Sequence, residues 1–144
     1  FVEIADAVVP GVVRIETMRS HQVVDRTLGV PPGFEQFFGV PRGLREEPIV
    51  SGGTGFVVED DGYVLTNHHV VDGADRITVW LEDGRSFDAE FIGSDPTTDV
   101  AVLQIEADRL APLKLADSDR VRVGEWVVAI GNPGFSGGQA LMQM

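Results

Sequence analysis

Hydrophobic and polar residues alternate along the chain in short blocks, and turn-forming residues separate the blocks at regular intervals. Val2, Ile4, Ala5, Val8 and Val9 recur at roughly helical spacing before Pro10, which predicts a short N-terminal helix that the proline ends. From residue 12 the period becomes two: Val13 and Ile15 share one face, Arg14 and Glu16 the other, as in a half-buried strand. Residues 52–58 and 63–66 flank Asp61-Gly62, a strong hairpin signal. Residues 76–81 and 85–92 flank Glu82-Asp83-Gly84 and predict a second hairpin, while 100–105 and 125–130 read as two further strands. The pattern therefore predicts about seven short strands, little helix and no internal repeat, for which an all-β antiparallel barrel with hairpin connections is the economical fold. A doubly wound α/β fold is disfavoured, because gaps such as 82–84 cannot hold a crossover helix.

Over residues 21–48 the alternation dissolves. Pro31-Pro32-Gly33, Phe37-Phe38-Gly39 and Pro41-Arg42-Gly43 punctuate a stretch without a period, which predicts a long loop between the first two strands. Phe34, Phe37 and Phe38 are unusual cargo for a solvated linker. They imply either a patch folded back on its own domain or a contact to a partner or neighbouring subunit.

Composition narrows the class. A chain of 144 residues fits one domain, and 43% hydrophobic with 24% charged residues is enough to bury a core. Eleven Lys plus Arg against 23 Asp plus Glu leave a net charge of −12, which disfavours binding to nucleic acid or to an anionic membrane face. The absence of cysteine excludes disulfides, thiolate nucleophiles and zinc-thiolate sites but leaves the compartment open. Apolar runs are too short for membrane insertion, and residues 1–13 lack the basic flank and cleavage site of a signal peptide. The expectation is a cytoplasmic protein or one whose leader has been trimmed.

Two adjacent histidines, His68 and His69, fall where the strand 63–66 ends. A histidine there can be held rigidly while its ring faces a cleft, as a general base requires. Asp99 stands directly before the apolar run Val100-Ala101-Val102-Leu103, where a partly buried carboxylate needs a hydrogen-bond partner. An imidazole Nδ1–H would satisfy it and fix the tautomer, leaving Nε2 to take a proton, so His69 and Asp99 are candidates for base and orienter. The competing reading is a solvated histidine in a turn and an aspartate at a strand end. A paired-histidine metal site is disfavoured, because neighbours in an extended segment point to opposite faces and no helical His-Glu-x-x-His spacing occurs.

Ser51-Gly52-Gly53-Thr54-Gly55-Phe56-Val57-Val58 followed by Gly62-Tyr63-Val64-Leu65-Thr66-Asn67-His68-His69-Val70-Val71 resembles the catalytic-histidine region of the HtrA (DegP/DegQ-like) trypsin-fold serine proteases. The similarity continues in order through Asp83-Gly84-Arg85, residues 95–105, Leu115-Ala116-Asp117-Ser118 and 123–133, covering about residues 1–133. It implies a trypsin-like antiparallel β-barrel, the first of the two barrels of a protease domain, with the whole of 1–144 as the N-terminal portion of that domain. By position it implies that His69 is the catalytic histidine, with His68 where the family usually has asparagine, and that Asp99 is the acid. The loop 21–48 is similar to the family's long aromatic regulatory loop, which in some relatives reaches another subunit's active site.

For the nucleophile the resemblance leaves two alignments. Gly134-Phe135-Ser136-Gly137-Gly138 resembles the Gly-Asn-Ser-Gly-Gly motif, which would make Ser136 the nucleophile with oxyanion donors beside it. However, Phe135 replaces the usual Asn or Asp, and the family threads several strands of a second barrel between acid and serine. In the other alignment 134–144 is the glycine-rich connection into that barrel, and the serine lies beyond Met144. The resemblance further implies a serine endopeptidase degrading unfolded or misfolded proteins, with no metal or organic cofactor. The partners it implies are protein or peptide substrates, in a homotrimer located in the periplasm or cell envelope. No PDZ domain is encoded in these residues, and the 144 residues alone are expected not to hydrolyse peptides. The rival class is an inactive barrel serving as a binding or scaffolding module.

Overall fold

The computed structural model describes residues 1–24 and 44–131. A short helix α1 (Val2–Val8) runs into a 3₁₀ turn (Val9–Gly11) containing Pro10, and the first strand starts immediately after it. Six strands follow: β1 (Val12–Val24), β2 (Leu44–Val57), β3 (Tyr63–Thr66), β4 (Arg76–Trp80), β5 (Ser86–Asp95) and β6 (Val100–Ile105). A one-turn helix α2 (His68–Val71) stands between β3 and β4. The strands close into an antiparallel barrel in the order β1-β2-β3-β6-β5-β4, so this is the all-β architecture the alternation predicts.

The alternation places the core. Val13, Ile15, Val57, Val64, Ile77, Val79, Ala101, Leu103 and Ile105 all point into the barrel and pack on one another, joined by Val71 of α2 and by Leu81. Burying one such aliphatic side chain stabilises the fold by about 1.5–3 kcal/mol. Thr17 is fully buried among them, its hydroxyl paired with the Ser51 hydroxyl at 2.9 Å. Gly62 turns β2 into β3 with φ +96°, and a Cβ there would lie 2.0 Å from the Ile105 carbonyl oxygen, so glycine is required on both counts.

Two expectations need correction. The predicted loop 21–48 is narrower, because β1 and β2 stay paired out to Val24↔Leu44. β4 pairs β1 only over Arg14 to Met18, so beyond Met18 the two strands continue as a two-stranded ribbon. Phe34, Phe37 and Phe38 lie outside the described residues. The predicted strand 125–130 is absent: its residues carry no ladder, and only an isolated bridge follows at Gly131. A strand needs a partner, and none of the six described strands pairs with this segment. Among the described residues no helix is long and apolar enough to cross a membrane.

Candidate active site

The site forms where α2 meets the turn between β5 and β6. That turn is built by Asp95, whose carboxylate accepts the Thr97 backbone N–H at 2.9 Å and the Thr98 hydroxyl at 2.9 Å. These bonds, the Thr97 N–H first, hold the Asp95 carboxyl below the usual carboxylate range. The turn ends at Asp99 with φ +57°, a left-handed conformation that aspartate tolerates better than most residues. This bend points Asp99 back toward α2.

On the other side, Thr66 closes β3 with its hydroxyl donating to the Thr54 carbonyl at 2.8 Å. Asn67 then opens α2, and Val70 lies so close to Gly53 of β2 that a Cβ at residue 53 would come within 2.7 Å of it. The glycine thereby lets α2 sit directly on the barrel. The sequence reading took His68 and His69 as extended neighbours, whereas they are successive residues of a helical turn and differ in direction by about 100°.

Five hydrogen bonds join α2 to Asp99. The His69 backbone N–H donates to Asp99 Oδ1 at 2.9 Å, and His69 Nδ1 lies 2.6 Å from Asp99 Oδ2. Asn67 Nδ2 donates to the Asp99 carbonyl at 3.0 Å and to Oδ2 at 3.3 Å, while the His68 N–H donates to the same carbonyl at 3.1 Å. The His69 backbone bond, then its ring bond, hold the Asp99 carboxyl below its ordinary range, with the nearby imidazoles adding to the effect and burial opposing it. A carboxylate facing Nδ1 fixes the proton there, which leaves Nε2 as an acceptor with no partner among the described residues, on a ring that is 70% exposed. Chemically this is an oriented base: it can take a proton from a nucleophile on Nε2 while Asp99 stabilises the imidazolium.

His68 has a different environment. Its Nδ1 lies 2.9 Å from the Ser94 hydroxyl and its Nε2 3.9 Å from Asp72 Oδ1. Ser136 lies outside the described residues. Pattern reading missed Asn67, whose only sequence signal is a helix-capping residue type at the start of α2. It also missed Ser94, which carries no signal. Among the described residues no group of three or more His, Asp and Glu side chains could hold a metal ion.

Residues 53–144 match the trypsin-like peptidase domain family. A probable periplasmic serine endoprotease, DegP-like, from Halomonas elongata is 42% identical over 149 residues, covering 92% of this chain and 31% of the relative. Its counterpart from Hahella chejuensis is 53% identical over 107 residues, covering 72% of this chain and 22% of the relative. Among solved structures, the HtrA-type protease AlgWS227A with decapeptide superposes with a TM-score of 0.78 at 37% identity, covering 96% of this chain and 42% of that one. The chain thus spans about a third or less of the length of these curated relatives. A closed antiparallel barrel, a histidine–aspartate pair at its rim and relatives of one type lead to the same conclusion: the chain belongs to the trypsin-like peptidase family, with HtrA/DegP-type proteases as its relatives, and spans part of the protease domain.

Proposed function

We propose that His69 and Asp99 are the base and the orienting acid of a serine endopeptidase that cleaves unfolded or misfolded proteins. The observation that carries this reading is the double engagement of the Asp99 carboxylate by the backbone and ring of His69, which turns Nδ1 to Asp99 and leaves Nε2 as the acceptor. In the reaction His69 Nε2 takes the proton of the serine hydroxyl as its oxygen attacks the scissile carbonyl. It then returns that proton to the leaving amine, and a water molecule repeats the cycle to release the acyl group. Asp99 stays ionised throughout and keeps the imidazolium favourable. The nucleophile and the oxyanion donors come from outside the described residues. Two sources are in play, Ser136 and a serine beyond residue 144, and the glycine-rich-connection alignment favours the second.

The relatives' description as periplasmic proteases supports export of the whole protein to that compartment. Assembly as a homotrimer is proposed from the family resemblance alone. In the full-length parent, His69→Ala should lower kcat/KM on casein by about 10³-fold or more, with the fold intact by circular dichroism. Activity near wild type would sink the assignment. A fluorophosphonate probe reads the nucleophile directly, because labelling demands an activated serine and mass spectrometry locates it. Complete absence of labelling in a folded parent would favour the binding-module alternative.

A further inference from the structure

We propose that His68 is a positioning residue for the His69–Asp99 pair, holding α2 against β5 through the Ser94 hydroxyl. The proposal rests on the proteolytic reading above. The two neighbouring imidazoles differ in surroundings: the His69 side chain is 70% exposed, whereas that of His68 is 22% exposed and turned toward the barrel. His68 Nδ1 and the Ser94 hydroxyl lie 2.9 Å apart, a hydrogen bond that either can donate according to the tautomer of the ring.

The contact matters because α2 has little stability of its own. It is four residues long, far below the length at which an isolated helix holds, and its N-cap makes no side-chain capping bond. Its orientation is therefore set by what it touches. Val71 in the core and Val70 against Gly53 seat it on the barrel, and its five bonds to the β5–β6 turn all converge on Asp99. Ser94 is a separate anchor, on the β5 ladder opposite Ala101, while Asp99 belongs to the turn beyond the end of that ladder. The Ser94 bond ties the first residue of α2 to β5 in addition to the turn, and so restrains the tilt that aims His69 Nε2. His68 touches no reacting atom, and its influence passes through the α2 backbone.

The test uses the full-length parent protein, with turnover of a fluorogenic peptide and the proton resonance of the His69 Nδ1–H as independent readouts. His68→Ala and Ser94→Ala should each lower kcat about fivefold with KM unchanged, the size expected for one neutral hydrogen bond. The double variant should fall no further than either single one, because both remove the same contact. His68→Asn carries an amide near the place of Nδ1 and should restore both kcat and the resonance, which broadens in the alanine variants. Additive losses, an unchanged resonance in His68→Ala, or failure of His68→Asn to rescue would overturn the proposal. Should His68→Ala not fold, His68→Asn and Ser94→Ala still decide it. A wild-type protein without turnover, whose resonance still responds to Ser94→Ala, would uphold the positioning role and remove the proteolytic reading.

Discussion

The barrel and the stretch that follows it, 106–131, are built from similar residues and have opposite fates. Val-rich segments in β1, β4 and β6 lie buried and laddered, whereas Val123, Trp126, Val127 and Val128 stand exposed with no partner strand among the described residues. The stretch is tied to the barrel at Leu113, whose N–H donates to the Val57 carbonyl at 2.8 Å, and again at Gly131, which lies against Thr54. Between those points every residue from 114 to 129 is exposed. The contrast teaches that strand propensity is realised only where a ladder is available. An apolar run beside a closed barrel is a surface in need of a partner.

The comparison can be broken or sharpened by substitution. The largest expected effect is Gly62→Val, which forces a branched side chain onto the Ile105 carbonyl at positive φ and should cost about 4 kcal/mol or prevent folding of the barrel. Urea unfolding of the 144-residue chain measures it, and a loss under 1 kcal/mol would show that the turn is less constrained than its geometry. Leu103→Ala, at a fully buried β6 position, should cost about 3 kcal/mol by the same measurement.

Acid should act more gently. The Asp99, Asp95 and Asp83 carboxyls are each held below their usual range, in Asp83 first by the Arg85 backbone N–H and then by the Arg85 side chain. Because the folded-state values are depressed, these groups contribute stability above the ordinary carboxylate range. That contribution is lost as pH falls through their folded-state values. The midpoint of urea unfolding should therefore be flat from neutral pH to about pH 5 on their account and fall below about pH 4. The smallest effect is Trp126→Ala, expected to change the stability of this chain by less than about 0.5 kcal/mol, since the indole is 93% exposed. A larger loss would mean that the indole finds a partner within the chain.

Most of the barrel was legible because its signals are local. Period-two alternation in residues 12–17, and the Asp61-Gly62 and 82–84 turns, are each readable within a few residues. The strand 125–130 failed for a non-local reason, since the alternation was present and a partner strand for it was not, among the described residues. The extra length of β1 and β2 failed likewise, because Ser20↔Pro48 and His21↔Glu47 are paired by register inherited from the barrel rather than by any apolar pattern of their own. At the site, His69 and Asp99 were visible as residue types at element ends. Asn67 and Ser94 were not, because nothing in a polar residue's spacing reveals which backbone carbonyl or ring nitrogen it will meet.

The left-handed bend at Asp99 has a consequence for control. It aims the carbonyl and both carboxylate oxygens of one residue at α2, so the His69–Asp99 pair is assembled by bonds within the barrel itself. Tilting α2 far enough to disarm His69 would break several of those bonds together. On the proteolytic reading proposed above, an off state reached by dismantling this pair is therefore expensive.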